Sequence, residues 1–262
     1  MQGSDDLRLL ESAVHAAGSI ARNYYGGDVR RWSKAGGSPV TEADLAVDKF
    51  LKQTLCAARP DYGWLSEESA DNLTRLERGR AFVVDPIDGT VAFLKQRPHF
   101  TICAAVVEAG RPNAGVVYNP ITEEFFAGQA GGGASLNGAP IHVSDRDVIE
   151  GARMLAPKNL FADGAWPSME VTTLSSIAYR LVLVAAGRQD AMISLTVKHD
   201  WDLAAADVIV QEAGGVLSDQ AGRKLLYNRP TATQRATIAA GPKLHGLLLH
   251  HLRQMEGSES RA

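Results

Sequence analysis

The sequence predicts an α+β protein, and three observations carry that reading. Apolar residues recur at helical spacing near the N-terminus. A central stretch breaks into short apolar runs separated by turn residues. The second half then alternates helical and strand-like segments. With 262 residues, 45% apolar and 22% charged, the chain has an ordinary globular composition and can bury a sizeable core.

Residues 5–24 place Leu7, Leu10, Val14, Ala17 and Ala21 at helical spacing. "GGSPVTEADLAVDKFLKQTL" reads as a loop and then a helix. Pro39 keeps Ser38 extended. Thr41 is the expected N-cap, and Asp44 three positions on makes a variant of the capping box. Leu45, Val47, Phe50, Leu51 and Leu55 give this helix its apolar side. "YGWLSEE", "AFVVDP", "FTICAAVVE", "AGVVYNP" and "EEFFAGQ" are expected strands of a mostly antiparallel sheet, because "RPNAG", "NPIT" and "GGGASLNG" interrupt them. A short helix, "GTVAFLKQ", lies among them.

"SSIAYRLVLVAAG" reads as a buried helix and "QDAMIS" as a strand. "WDLAAADVIVQEAGG" is a helix closed by glycines, "GVLSD" a strand and "KLHGLLLHHLRQ" a last helix, after which the polar "MEGSESRA" is expected to fray. A soft boundary near 145–155 divides the chain into 1–150, an α+β part carrying the site, and 151–262, an α/β part completing it across a cleft.

A net charge of −3 and a pI near 6.2 give no basic footprint for nucleic acid and no polybasic membrane patch. No run approaches the ~20 apolar residues that span a bilayer, and the first residues lack a signal-peptide pattern. The expected location is cytoplasmic. Cys56 and Cys103 are the only cysteines; they make neither a disulfide framework nor a zinc site and are expected to be buried free thiols. The histidines show no metal spacing, and "GQAGGGASLNG" lacks the lysine of a phosphate loop and reads as a turn.

The chemistry concentrates in "VVDPIDGT", residues 83–90. An apolar strand stops at Asp85, Pro86 keeps that residue extended, and Asp88 is expected at the start of a helix. Gly89 and Thr90 then offer backbone N–H groups at a helix N-terminus, which suits a phosphate. Carboxylates recur where other apolar runs end: Glu67 and Glu68 after "YGWLS", and Asp202 at the opening of "WDLAAADVIV". Taken singly, Asp88 and Asp202 read as helix caps and Glu67 as a surface charge. Gathered near one cleft, Glu67, Asp85, Asp88 and Asp202 would raise each other's pKa unless a cation compensated them. Oxygen donors of this kind, with the Ile87 carbonyl, suit a hard cation, and Mg2+ fits best.

"SEE" at 66–68, "DPIDGT" at 85–90 and "WDLAAADVIVQEAGG" at 201–215 resemble, in order and spacing, the three signatures of the inositol monophosphatase superfamily. The resemblance implies a layered αβαβα sandwich of the inositol monophosphatase/fructose-1,6-bisphosphatase type. It also implies Mg2+-dependent hydrolysis of a small phosphorylated substrate, inhibition by lithium and a homodimer. Glu67, Asp85 and the Ile87 carbonyl would hold a first Mg2+; Asp85, Asp88 and Asp202 a second; Glu67 would face a third. Asp44 and Thr90 would orient and deprotonate the attacking water. Gly89, Thr90, Asp88 and Asp202 would contact the substrate, and Lys34 lies near the family's basic residue ahead of the Asp44 helix.

A haloacid-dehalogenase-like phosphatase is the nearest rival, but its paired aspartates are two apart, and here they are three apart. The resemblance also leaves a binding role open, because some superfamily members are RNA-polymerase-associated partners. Inositol-specific members carry an acidic residue seven before the Trp-Asp aspartate, where this chain has Leu195. "SPVTEADLAVDKFL", "DYGWLSEES" and "KHDWDLAAAD" resemble the bacterial CysQ-type branch, which implies a 3'(2'),5'-bisphosphate nucleotidase acting on adenosine 3',5'-bisphosphate. Inositol monophosphate or another polyol or sugar phosphate is the alternative substrate.

Overall fold

Period-two burial along the strands sets the layering of this protein. A computed structural model describes residues 2–34, 37–161 and 165–259. Helix α1 (Gln2–Tyr24) is followed by a ribbon of β1 (Arg31–Ser33) and β2 (Pro39–Thr41), then by α2 (Glu42–Ala58). Next come β3 (Gly63–Ser66), β4 (Arg80–Asp88), the short α3 (Thr90–Leu94), β5 (Thr101–Glu108) and β6 (Arg111–Asn119). β7 (Glu124–Gln129), β8 (Gly133–Leu136) and β9 (Ala139–Pro140) complete a seven-stranded sheet in sequential order. Only β3 and β4 run parallel in it, as the turn-rich sequence predicts.

The rest of the chain adds β10 (Arg153–Leu155), β11 (Glu170–Thr172), α4 (Ile177–Ala185), β12 (Ala191–Ser194) and β13 (Lys198–His199). It ends with α5 (Asp200–Glu212), β14 (Val216–Ser218), β15 (Thr233–Gln234), β16 (Thr237–Ala240) and α6 (Pro242–Glu259). A second sheet has the order β11-β10-β12-β16-β14, and β13 pairs with β15 as a separate antiparallel rung. The sequence reading misses the strands β1, β2, β8, β9, β10, β11, β13, β15 and β16, each of two to four residues.

Alternation divides the apolar side chains among three cores. On β4, Phe82 and Val84 face the core under α1 and α2, while Val83 faces the opposite core with α4 and α5. On β5, Ile102, Ala104 and Val106 take the first side, and Cys103, Ala105 and Val107 the second. On β12, Met192 joins the α4–α5 core, while Ala191 and Ile193 pack toward α6. The layers are therefore α1/α2, the large sheet, α4/α5, the small sheet and α6, the αβαβα order expected. Such double-sided burial explains why the strand segments read as continuous apolar runs.

The Thr41 cap holds: its hydroxyl accepts from the Ala43 and Asp44 N–H groups, and the Asp44 carboxylate accepts from Thr41 N–H. The stretch "GQAGGGASLNG", expected as a turn, holds the β7–β8 turn and also the strand β8; the Gly131 and Gly133 amides donate there to the Glu212 carboxylate. Cys103 is buried, Cys56 only half-buried, and both are free thiols. Where fraying is expected after Gln254, α6 continues to Glu259, and 260–262 lie outside the described residues. Among the described residues, no helix is long and apolar enough to cross a membrane.

One contact fixes how close α5 lies to the large sheet. A Cβ at Gly115 on β6 would stand 2.5 Å from the Ala205 carbonyl oxygen and 2.7 Å from Val208 Cγ1. Overpacking of this kind costs about 1–3 kcal/mol, so Gly115→Ala is expected to lower the melting temperature by several degrees. An unchanged thermal unfolding curve would show that the helix does not rest on this backbone.

Candidate active site

The strand end that carries the first two aspartates does not turn into a helix at Asp88, as the sequence suggests. β4 continues to Asp88 through an irregularity. Asp85 pairs with Cys103 and Asp88 with Thr101, so three steps on β4 match two on β5. Pro86 sits in this bulge, where a missing N–H leaves no gap in the ladder. Residues three apart on a regular strand face opposite sides. The extra residue returns Asp88 to the side of Asp85, and both carboxylates face the α4–α5 layer. Gly89 then takes φ +98°, and a Cβ there would meet the His99 carbonyl oxygen at 3.0 Å. The following helix has five residues, so its dipole is small and the Gly89 and Thr90 amides themselves are what it offers an anion.

Each aspartate keeps one oxygen tied and the other available. Asp85 Oδ1 accepts from Ile87 N–H at 3.0 Å. Asp88 Oδ2 accepts from the Ser176 hydroxyl and the Ala178 N–H, both at 2.6 Å, at the N-terminus of α4. Asp202 Oδ2 accepts from His199 N–H at 2.8 Å, in a capping box that opens α5. Asp85, Asp88 and Asp202 each offer an oxygen within 4.8 Å of the others. Burial, with the neighbouring charges of Glu67, Asp88, Asp202 and Asp44, pushes Asp85 well above the usual carboxylate range. Burial pushes Asp88 up despite its donors on α4. Asp202 rises to about 7 through burial and the charge of Asp88. An all-oxygen, buried, self-repelling donor set fits a hard divalent cation.

Beside the cluster, Asp44 is almost fully buried. Its Oδ2 accepts from Thr41 N–H at 2.8 Å and the Thr41 hydroxyl at 2.5 Å. The Thr90 hydroxyl stands 3.2 Å from Asp44 Oδ1 and 3.2 Å from the Ile87 carbonyl oxygen. Burial raises the Asp44 pKa. Glu67, Asp85, Ile87, Asp88, Gly89, Thr90 and Asp202 all line one cleft of about 190 Å³.

Glu67 lines the cleft without joining the cluster. Lys34 Nζ donates to Glu67 Oε1 at 2.7 Å and to Glu68 Oε1 at 2.6 Å. The ammonium thus holds Glu67 as an ion pair, and the two glutamates raise the Lys34 pKa against the opposing effect of burial. Lys34 therefore touches a residue that lines the cleft.

Sequence reading misses Ser176, Arg180 and Lys198. Ser176 caps α4 and donates to Asp88; the serine pair before "IAYRLVLVA" is a readable cap signal. Arg180, mostly buried, is a lone charge in an apolar helix and feels Asp88 and Asp202, while desolvation lowers its pKa. Lys198 is lowered by burial and lies in the field of Asp202 and Asp88. Leu195 is 40% exposed, and the Trp201 ring stacks on His199 at 4.4 Å.

Comparison with known proteins places this geometry. Residues 5–256 match the model of the inositol monophosphatase family. The chain is 32% identical over 231 residues to the "Nus factor SuhB" of Escherichia coli strain K12, covering 82% of this chain and 85% of that one. It is 32% identical over 260 residues to the "Inositol-1-monophosphatase" of Mesorhizobium japonicum, covering 90% and 95%. Its fold matches the IMPase of Thermotoga maritima with a TM-score of 0.85 at 25% identity, covering 97% and 99%. It matches the extragenic suppressor protein suhB of Bartonella henselae with a TM-score of 0.82 at 29% identity, covering 95% and 98%. The chain belongs to the inositol monophosphatase family.

The raised carboxyl groups make a pH prediction. A carboxyl with a higher pKa folded than unfolded contributes stability below its unfolded pKa, about 4, and loses it as pH rises through the folded value. For Asp202 that window ends at about 7. A divalent cation, added as Mg2+, is therefore expected to raise the melting temperature more at about pH 8 than at about pH 5 if this cluster holds it. An equal shift at both, read by thermal unfolding with and without a chelator, would show that the ion does not neutralise this cluster.

Proposed function

We propose that this member of the inositol monophosphatase family, a phosphoric monoester hydrolase, uses Mg2+ and acts on a nucleoside bisphosphate of the adenosine 3',5'-bisphosphate type. The observation that carries the hydrolytic reading is the Asp85–Asp88–Asp202 oxygen cluster lying beside the hydrogen-bonded Asp44–Thr90 pair. Asp85, Asp88 and Asp202 would hold Mg2+, with Glu67 and the Ile87 carbonyl beside them. Bound there, the ion supplies positive charge that holds the phosphate and stabilises charge on the attacking and leaving oxygens.

The protein's own groups supply orientation and proton transfer. Thr90 has one hydroxyl proton. When it points to Asp44, the free lone pairs of Oγ1 receive a proton from the attacking water, and the Thr90 proton passes to Asp44. Burial makes Asp44 a stronger base than an ordinary aspartate. The water oxygen bonds to phosphorus as the ester P–O bond breaks, and the departing oxygen takes a proton from solvent. Gly89 and Thr90 amides hold the phosphate oxygens, while Thr41 and Ser176 fix Asp44 and Asp88.

Two features support the bisphosphate substrate. Leu195 accepts no hydrogen bond from a polyol, and Lys198, in the field of Asp202 and Asp88, would offer positive charge to a second phosphate. Relatives named inositol-1-monophosphatase favour inositol phosphate as the second reading. Relatives named Nus factor favour a binding role, for which RNA polymerase is the partner that the sequence resemblance implies.

Phosphate release with Mg2+ from adenosine 3',5'-bisphosphate, inositol 1-phosphate and fructose 1,6-bisphosphate, run in parallel, tests the substrate; the first is expected to give the highest kcat/KM. Asp88→Asn is expected to cut turnover about 10²-fold or more, and near-wild-type rates at saturating Mg2+ would end the hydrolytic reading. Lys198→Ala is expected to raise KM for the bisphosphate more than for inositol 1-phosphate. A cellular role that survives Asp88→Asn would favour the binding reading.

A further inference from the structure

A cavity of about 500 Å³ is lined entirely by residues within 219–235 and shares none with the catalytic cleft. Four of its lining side chains are cationic (Arg223, Lys224, Arg229 and Arg235) and one is acidic, Asp219. Arg223 Nε donates to Asp219 Oδ2 at 2.8 Å, so that pair is satisfied internally. Among the described residues, no carboxylate lies within ion-pair distance of Lys224, Arg229 or Arg235. Arg229 uses Nε and Nη2 on the Leu226 and Thr233 carbonyls, which leaves three of its five N–H donors. Three cations without a direct ion-pair partner thus surround one concavity in a chain of net charge −3, with Asp200 in the field of Arg229 and Asp207 in that of Lys224.

The walls are held in place. The Gln234 amide donates to Asp200 Oδ1 and to the Leu226 carbonyl, each at 2.8 Å. Asn228 N–H donates to Asp200 Oδ2 at 2.8 Å, and β15 pairs with β13 in front of α5. Leu226 is 45% exposed at the cavity, an apolar face beside the cations. The volume falls in the range of small-molecule sites, ~300–1,000 Å³, and exceeds what a phosphate group alone needs.

We propose that this cavity binds a nucleoside diphosphate, its diphosphate among Lys224, Arg229 and Arg235 and its base against Leu226. Flexible, hydrogen-bonding cations suit two adjacent phosphoryl groups, and the half-exposed leucine gives a planar base an apolar surface. Inorganic pyrophosphate shares the anionic chemistry and lacks the base.

The full-length protein in chelator separates this site from the catalytic one. Without a divalent ion at about pH 8, above the raised Asp202 value, the cleft carries carboxylate charge that repels anions, so calorimetric titration with ADP reads the cavity. ADP is expected to bind, and Lys224→Ala with Arg235→Ala to weaken it by about tenfold or more. Both residues are exposed, so an unchanged melting temperature confirms that the variant is folded. Asp88→Asn is expected to leave ADP affinity at the wild-type value, and a higher affinity would place ADP in the catalytic cleft and overturn the proposal. Absence of binding, or equal affinity in the double variant, overturns the proposal. Pyrophosphate binding as tightly as ADP removes the base from it, and a short single-stranded RNA binding far more tightly than ADP reassigns the cavity to a nucleic-acid surface.

Discussion

Mutual repulsion among buried carboxylates is the constraint around which this molecule is organised. Asp85, Asp88 and Asp202 present oxygens within 4.8 Å of one another, in surroundings that favour their neutral forms. A cluster of that kind does not assemble by attraction. It is imposed by two structural elements, the end of β4 and the start of α5, which the middle core presses together. Hydrogen bonds to Ile87, Ser176, Ala178 and His199 fix one oxygen of each carboxylate. The remaining oxygens lie close enough to share a cation, and a bound ion would stabilise the fold that gathers them.

The arrangement divides labour between neighbouring acids. Asp44 is buried like the cluster aspartates, yet it is surrounded by donors from Thr41 and Thr90. Its oxygens are taken up by these donors, and it stands outside the Asp85–Asp88–Asp202 group, an arrangement that suits the proposed part of proton acceptor. Thr90 links the two groups, since its hydroxyl reaches both Asp44 and the Ile87 carbonyl. Lys34 adds a third element by occupying Glu67 and Glu68 with a single ammonium.

Much of this was legible in the residues themselves. "AFVVDP" and "FTICAAVVE" read as buried strands because both faces of β4 and β5 are covered, and Thr41 with Asp44 reads as a cap because its geometry is local. Asp85, Asp88 and Asp202 were readable as a set from the order of three motifs. The bulge was not, because an irregular register depends on the partner strand; "DPIDGT" alone looks equally like a strand followed by a helix. The ion pair of Lys34 with Glu67 spans more than thirty residues and depends on how the β1–β2 ribbon lies, which no short pattern encodes. The basic cavity at 219–235 escaped for a related reason: its charges are diluted in a chain of balanced composition and converge only when β15 meets β13.

The missing side chain at Gly115 has a consequence beyond packing. Because α5 rests directly on β6 there, the backbone of the large sheet sets the height of the helix, and the helix carries Asp202 toward β4. The gap between acidic oxygens is thus gauged one to two helical turns away, by a residue with no functional group. A hydrogen atom at Gly115, standing where any other amino acid would put a carbon, lets α5 come this close to the sheet.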